Sequence, residues 1–308
     1  MARRRRGEPV NGWLAVDKPL GMTSTQVVGL VRRLFNAQKA GHGGTLDPLA
    51  TGVLPIALGE ATKTVPYVMD GTKVYTFTAR WGQATTTDDR EGEVVETSDV
   101  RPDRAAIEAA LPAFVGDLEQ VPPRFSAVKV DGQRAYDLAR DGEDVQLTAR
   151  VVRVDSVTLT DMPDADHASF RVVAGKGTYI RSLARDLARA LGTVGHVAAL
   201  RRTACGPFRE DDAISLDKLK SLGHSAPPLD LLLPIETALD DIPALALTEA
   251  EARRLASGLP VSLLRVATRT PLSTVASGDT VCAMAEGRLV AVARIEGGEI
   301  RPVRVMNL

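Results

Sequence analysis

Residues 72–81 alternate: Tyr75, Phe77, Ala79 and Trp81 fall on one side, and Thr76, Thr78 and Arg80 on the other. This period of two predicts a half-buried antiparallel strand leaving the Asp70-Gly71 turn. Residues 12–17 (Gly-Trp-Leu-Ala-Val-Asp) predict a shorter strand that turns at Lys18-Pro19-Leu20-Gly21. A helix follows, with Thr23 and Gln26 spaced as a capping box and Val27, Val31, Leu34 and Phe35 on one face. Four glycines and a proline make residues 41–52 an irregular loop. Further helices are expected over 103–115, where Pro112 disturbs the last turns, and over 133–141. Strands over 150–159 and 168–174 lead to the clearest helical pattern, which runs from Thr178 to Gly192. Its buried stripe is Ile180, Leu183, Ala184, Leu187 and Leu191, while Arg181, Arg185 and Arg189 recur every fourth residue on a second face.

Beyond residue 225 the texture changes. Pro227, Pro228, Pro234 and Pro243 punctuate an acidic linker. A helix capped by Thr248 then precedes short strands at 260–266, 280–284, 288–295 and 299–306. A chain of 308 residues is long enough for two domains. The boundaries expected are a basic disordered tail over 1–10, a main domain over 11–240 and a small β-rich domain over 241–308. That last piece is marginal alone and needs a neighbour to dock on.

Composition adds exclusions. The hydrophobic share of 44% and charged share of 25% exclude a disordered chain. No apolar run approaches the roughly 20 residues of a membrane helix. Arg3 to Arg6 are followed by Gly7, Glu8, Pro9 and Asn11 instead of an apolar stretch, so a cytoplasmic protein is expected. Cys205 and Cys282 form no paired motif, and His42, His167, His196 and His224 lack the spacing of helix-borne ligands, so no metal is expected. The net charge of −1 hides a segregation. Residues 1–40 hold eight Lys/Arg against two acids, and residues 171–209 hold eight against one. These local charges of +6 and +7 leave −14 for the rest of the chain. Such segregation suits a polyanion, although a solvated helix face accounts for it equally.

The candidate chemistry centres on Asp47. Loops on rigid scaffolds are where catalytic groups concentrate, but Asp before Pro48 is also an ordinary turn former. No Lys-Ser/Thr follows these glycines, so the phosphate-loop readings fail. Arg181 is the natural partner for a carboxylate. Tyr75 reads first as core and second as a stacking or proton-moving group. Cys205 reads as a buried small hydrophobe.

The order of the short motifs is more specific. Gly41-His42-Gly43-Gly44-Thr45-Leu46-Asp47-Pro48-Leu49-Ala50-Thr51-Gly52 resembles the catalytic motif of the TruB family of bacterial tRNA pseudouridine-55 synthases. Asp17-Lys18-Pro19, Gly21 to Ser24, Gly59 to Lys63, Ser126 to Lys129, Lys176 to Arg181, His196 and Leu200 to Thr203 continue the resemblance in family order. The resemblance implies an α+β fold: a mixed α/β catalytic domain around a central antiparallel sheet, followed by a small PUA-like domain. It also implies isomerisation of uridine-55 in the T-loop of tRNA, without metal or cofactor, by a monomer that binds the T-arm. Asp47 then becomes the nucleophile, Arg181 its partner, and Tyr75 the stacking group near the C5 proton. His42 becomes a holder of the displaced RNA loop, and Tyr179 and Leu200 become walls of the uracil pocket. Lys18, Lys129, Arg201 and Arg202 become RNA-backbone candidates, and the segment 124–150, with Lys129 and Arg134, a mobile piece closing over the T-arm. Gly43 departs from the family's usual Thr or Ala, a small-for-small change. Two other functions compete: a non-catalytic RNA-folding protein, which would not need Asp47, and a hydrolase pairing Asp47 with Glu60, which leaves the basic cluster unexplained.

Overall fold

The computed structural model describes residues 7–126, 129–130, 133–134, 147–223, 226–270 and 275–308. The Arg3 to Arg6 run and His224 lie outside them. Among the described residues, ten strands form one mixed sheet. Its main path runs Ile214–Ser215, Gly12–Lys18, Ala50–Leu58, Gly195–Cys205, Lys73–Trp81, His167–Ala174, Arg150–Asp164, Gly116–Gln120. Most neighbours are antiparallel, as expected, but Gly12–Lys18 with Ile214–Ser215 and Ala50–Leu58 with Gly195–Cys205 are parallel pairs.

The middle of this sheet is covered on both faces, which explains its continuous apolar runs. Leu14, Val16, Leu54, Ile56 and Leu58 enter one core with Val27, Val31 and Phe35 of the Ser24–Leu34 helix and Leu183 and Leu187 of the Ile180–Ala190 helix. Trp13, Ala15, Val53 and Ala57 point the other way and meet Val68, Leu239, Cys282, Leu289 and Met306. Successive strand residues face opposite sides, so the two cores interleave along one strand. The second core also seats the C-terminal sheet, whose order is Ala244–Ala246, Thr280–Ala285, Arg288–Glu296, Glu299–Val305, Val261–Ser262. Its own core includes Leu255 from the Glu249–Ala256 helix, which Thr248 caps as expected. Docking is also polar: Glu60 accepts from the Asn307 N–H, and Lys63 donates to the Val305 carbonyl.

Four local expectations change. Ala40–His42 and Ala50–Leu58 are strands, so the irregular loop shrinks to 43–49. Residues 263–267 turn into a short helix after a two-residue strand at Val261–Ser262. Gln133–Arg134 pairs with Lys129–Val130 as a hairpin instead of starting a helix, and the rest of the expected 133–141 helix lies outside the described residues. Residues 7–10 of the expected tail are fastened: Glu8 bridges Ala37, and its N–H donates to the Asn36 carbonyl at 2.6 Å.

Candidate active site

Asp47 sits on a loop held from three sides. Leu46 and Leu49 are buried on either side of it, while its own side chain stays about one-third exposed. Ser24 Oγ accepts from the Leu46 N–H at 2.9 Å and donates to the Leu46 carbonyl at 3.0 Å. The Gly21 N–H and Lys18 Nζ both donate to the Pro48 carbonyl. From below, Arg202 donates to the carbonyls of Gly44, Thr45 and Val53 at 2.9, 3.3 and 2.8 Å. Gly52 has a φ of +100°, and a Cβ there would lie 2.2 Å from the Arg202 carbonyl oxygen, so only glycine lets the two strands approach. A Cβ at Gly43 would lie 2.6 Å from Val68 Cγ1. Glycine at 43 is therefore matched to Val68 in this chain and is not freely exchangeable for Ala or Thr.

Arg181 meets Asp47 across the cleft. Its Nη2 lies 2.8 Å from Asp47 Oδ2, and its Nη1 lies 3.6 Å from Asp89 Oδ2. The guanidinium also donates to the carbonyls of Thr87 and Phe125 at 3.0 Å each. Although Arg181 opens its helix, it is only 4% exposed and is no part of a solvated face. Asp89 is buried too, held by Thr87 Oγ1 at 2.5 Å and the Glu91 N–H at 3.0 Å. Nothing in the periodicity marks Asp89; its one signal is a carboxylate in a polar Thr-Thr-Thr-Asp-Asp turn.

A cavity of about 280 Å³ opens in front of this pair. Asp47, Tyr75, Tyr179, Leu200 and Arg181 line it, together with Lys73, Lys176 and Arg202. Strand register explains the gathering: Arg202 lies opposite Tyr75, and Leu200 is flanked by Phe77 on one side and Ala50 on the other. Tyr179 is fixed by Gln120, which accepts from its N–H at 2.8 Å and donates to its carbonyl at 3.1 Å. Burial raises the pKa of both phenols. The charge of Arg202 opposes the rise at Tyr75, while the carboxylate of Asp47 adds to it at Tyr179. Both hydroxyls therefore stay protonated at neutral pH.

Several expected RNA contacts are elsewhere engaged. Lys18 is fully buried, donating to the carbonyls of Pro19, Met22 and Pro48. Burial pushes its ammonium down to about 8, against the pull of Asp47. Arg202 is 1% exposed and props the Asp47 loop. Both are committed to interior carbonyls instead of standing open as surface cations. Arg201 is half-buried, forked onto Asp17 at 3.0 and 3.2 Å and paired with Glu210 at 3.0 Å. Part of the basic cluster is thus answered by acids: Arg185 pairs with Asp88 and with its own neighbour Asp186, and Lys176 with Asp70. Arg171, Arg189 and Arg209 remain exposed. His42 does not line the cavity; its Nδ1 accepts from the Gly44 N–H at 3.3 Å, and burial followed by Arg202 lowers its pKa. Lys129 is placed only by its backbone in the hairpin.

Two family profiles match the chain. The N-terminal domain of TruB family pseudouridylate synthase covers residues 32–180, and the C-terminal domain of tRNA pseudouridylate synthase B covers residues 181–240. The chain belongs to the TruB family. Among its relatives, the tRNA pseudouridine synthase B of Rhodospirillum rubrum is 63% identical over 308 residues, covering all of both chains. That of Caulobacter vibrioides is 57% identical over 309 residues, again covering all of both. A solved Cbf5-Nop10-Gar1 complex contains a chain with a TM-score of 0.72 and 28% identity, covering 96% of this chain and 84% of that one. This TruB-family chain is a pseudouridine synthase, and the Glu60 hydrolase reading falls. Glu60 lies in the seam with the C-terminal sheet, bound to Lys63 and Asn307 and absent from the cavity lining.

Proposed function

We propose that this chain converts uridine-55 in the T-loop of tRNA to pseudouridine. The observation that carries the reading is the half-open carboxylate of Asp47, gripped at 2.8 Å by Arg181 on a cavity walled by Tyr75, Tyr179 and Leu200. A uridine stacked in RNA cannot reach such a recess, so the nucleotide is flipped out first. Tyr75 stacks on the uracil, and Leu200 and Tyr179 bound it. Arg181 orients Asp47 through the 2.8 Å ion pair, so that its carboxylate is aimed as the nucleophile. Asp47 attacks ribose C1′ or the uracil ring, and the bond from C1′ to N1 breaks. The uracil turns, C5 bonds to C1′ as the bond to Asp47 breaks and frees its carboxylate, and the C5 proton moves to N1, with the Tyr75 hydroxyl relaying it. Nothing is oxidised and no atom leaves, so the balance needs no cofactor or metal. His42 holds the displaced loop as a neutral ring, and the segment 124–150, with Lys129 and Arg134, closes over the T-arm. The chain works as a cytoplasmic monomer, in three parts: a basic tail, the catalytic domain to residue 240, and the small domain beyond.

Two relatives over the full length carry the name tRNA pseudouridine synthase B, which supports tRNA as the substrate. The test is incubation with an unmodified tRNA transcript, followed by chemical mapping of pseudouridine. Product at the T-loop uridine alone is expected. Bound RNA with no product there overturns the reading.

A further inference from the structure

A flipped nucleotide carries its own phosphodiester to the mouth of the cavity that takes its base. Among the described residues, four cations line that cavity: Lys73, Lys176, Arg181 and Arg202. Three are buried and engaged. Lys73 donates to the carbonyls of Val68, Met69 and Gly71, closing the end of the Val65–Asp70 helix. Arg181 holds Asp47 and Asp89, and Arg202 holds two carbonyls of the Asp47 loop and that of Val53 in the strand after it. Lys176 differs from all three. Its side chain is 63% exposed, and its partner is Asp70 Oδ1 at 2.6 Å, itself 60% exposed.

We propose that Lys176 is the phosphodiester subsite of this cavity and that the Asp70 carboxylate occupies it until RNA arrives. The inference rests on the flipped-nucleotide reading above. Asp70 and Lys176 face each other across the mouth: one ends the helix before the Tyr75 strand, the other lies in the loop before the Arg181 helix. Both backbones are fastened: Lys73 donates to three carbonyls on the Asp70 side, and the Gly175 N–H and Thr178 Oγ1 donate to the Arg153 carbonyl on the Lys176 side. The freedom lies in the side chains, because the long flexible stem of the lysine swings its ammonium further than the short Asp70 side chain can follow. An exposed ion pair contributes little in water, so giving up Asp70 costs little. A phosphate offers the ammonium a charge-assisted bond of the same kind, and a chain that continues into the cavity. Asp70 thus keeps Lys176 extended over the mouth, already placed, without blocking the exchange.

The test is a cycle between protein and RNA. Binding of a T-arm hairpin is measured with the natural phosphates and with neutral methylphosphonates flanking the target uridine, for wild type, Lys176→Ala and Asp70→Asn. Wild type should lose about fivefold on neutralisation and Lys176→Ala less than about twofold, with a salt slope lower by roughly 0.7–0.9. Asp70→Asn should bind more tightly at low salt, because the competing carboxylate is gone. Equal losses in wild type and Lys176→Ala, no loss in either, or weaker binding by Asp70→Asn would overturn the proposal. Both positions are exposed, and thermal melting confirms that the variants fold. Because binding is read directly, pseudouridine formation in the same hairpin reports separately on the function itself.

Discussion

Asp47 and Arg181 form an asymmetric pair: the carboxylate is 35% exposed and the guanidinium 4%, with 2.8 Å between Oδ2 and Nη2. The carboxylate faces the cavity while its partner is almost wholly buried beside it. Asp89 and two carbonyls hold the far side of Arg181, so the cation is oriented before substrate enters. Preorganisation of this kind lowers the cost of aligning charges during reaction.

Asp47→Asn should abolish turnover while RNA affinity changes by no more than a few fold. The amide keeps the shape but is no carboxylate nucleophile. Single-turnover rates beside filter binding check this, and one-tenth of the wild-type rate would remove Asp47 from that role.

Asp89→Asn should slow turnover strongly with little effect on binding, since Asp89 touches Arg181 and does not line the cavity. Breaking a buried ion pair outright costs about 3–5 kcal/mol, and removing one of the two carboxylates on Arg181 should cost part of that. Part of that appears as a lower melting temperature. A variant with wild-type rate and stability would show that Arg181 needs only Asp47.

How much of this was legible beforehand differs by residue. The alternation at Tyr75 to Trp81, the capping box at Thr23 and the cap at Thr248 are local, and local patterns survive folding. Asp47 and Arg181 were legible through the order of motifs, not through periodicity. The roles of Lys18 and Arg202 were not legible, because the exposure of a long cation depends on which carbonyls other strands bring to it. Arg202 is opposed to Tyr75 and set beside Gly52 by pairings far apart in sequence. Asp89 is hidden for the same reason: its partner is distant in the chain.

Tyr75→Phe should damage chemistry far more than binding, and Tyr75→Leu should damage both, stacking being worth roughly 1–3 kcal/mol per base. Burial raises the pKa of the phenol, so the role proposed for it is that of a relay and not of an anionic base. Wild-type rate in the Phe variant would reduce Tyr75 to a platform.

Docking of the C-terminal sheet through Glu60 should weaken in acid. Burial alone would raise its pKa, but Lys63 at 2.5 Å, the Asn307 N–H at 2.8 Å and Lys39 outweigh it, and the net shift is downward from 4.5. A lowered carboxylate pKa gives stability that is complete above the unfolded value and is lost as pH falls through the folded one. Glu60→Gln should therefore be less stable than wild type at pH 7, by roughly 1.5–3 kcal/mol for charged hydrogen bonds. The gap should close below about pH 4. Denaturant melts at both pH values decide it, and a gap independent of pH would mean the charge is idle.

Arg202→Ala separates an interior role from an RNA contact. Three carbonyls around Asp47 lose their donor, and a space the size of a guanidinium opens beneath the loop. Unsatisfied buried acceptors cost about 1–3 kcal/mol each. Stability should fall by at least about 3 kcal/mol, and turnover should fall with it as the loop loosens. Arg202→Lys should rescue little, because one ammonium does not span the three acceptors that a planar fork reaches. The slope of log affinity against log salt should stay at the wild-type value in both variants, because no phosphate contact is removed. Urea unfolding and salt-dependent binding on the same preparations check both halves. A slope lower by about 0.9 with unchanged stability would put the guanidinium on the RNA backbone and contradict its buried place.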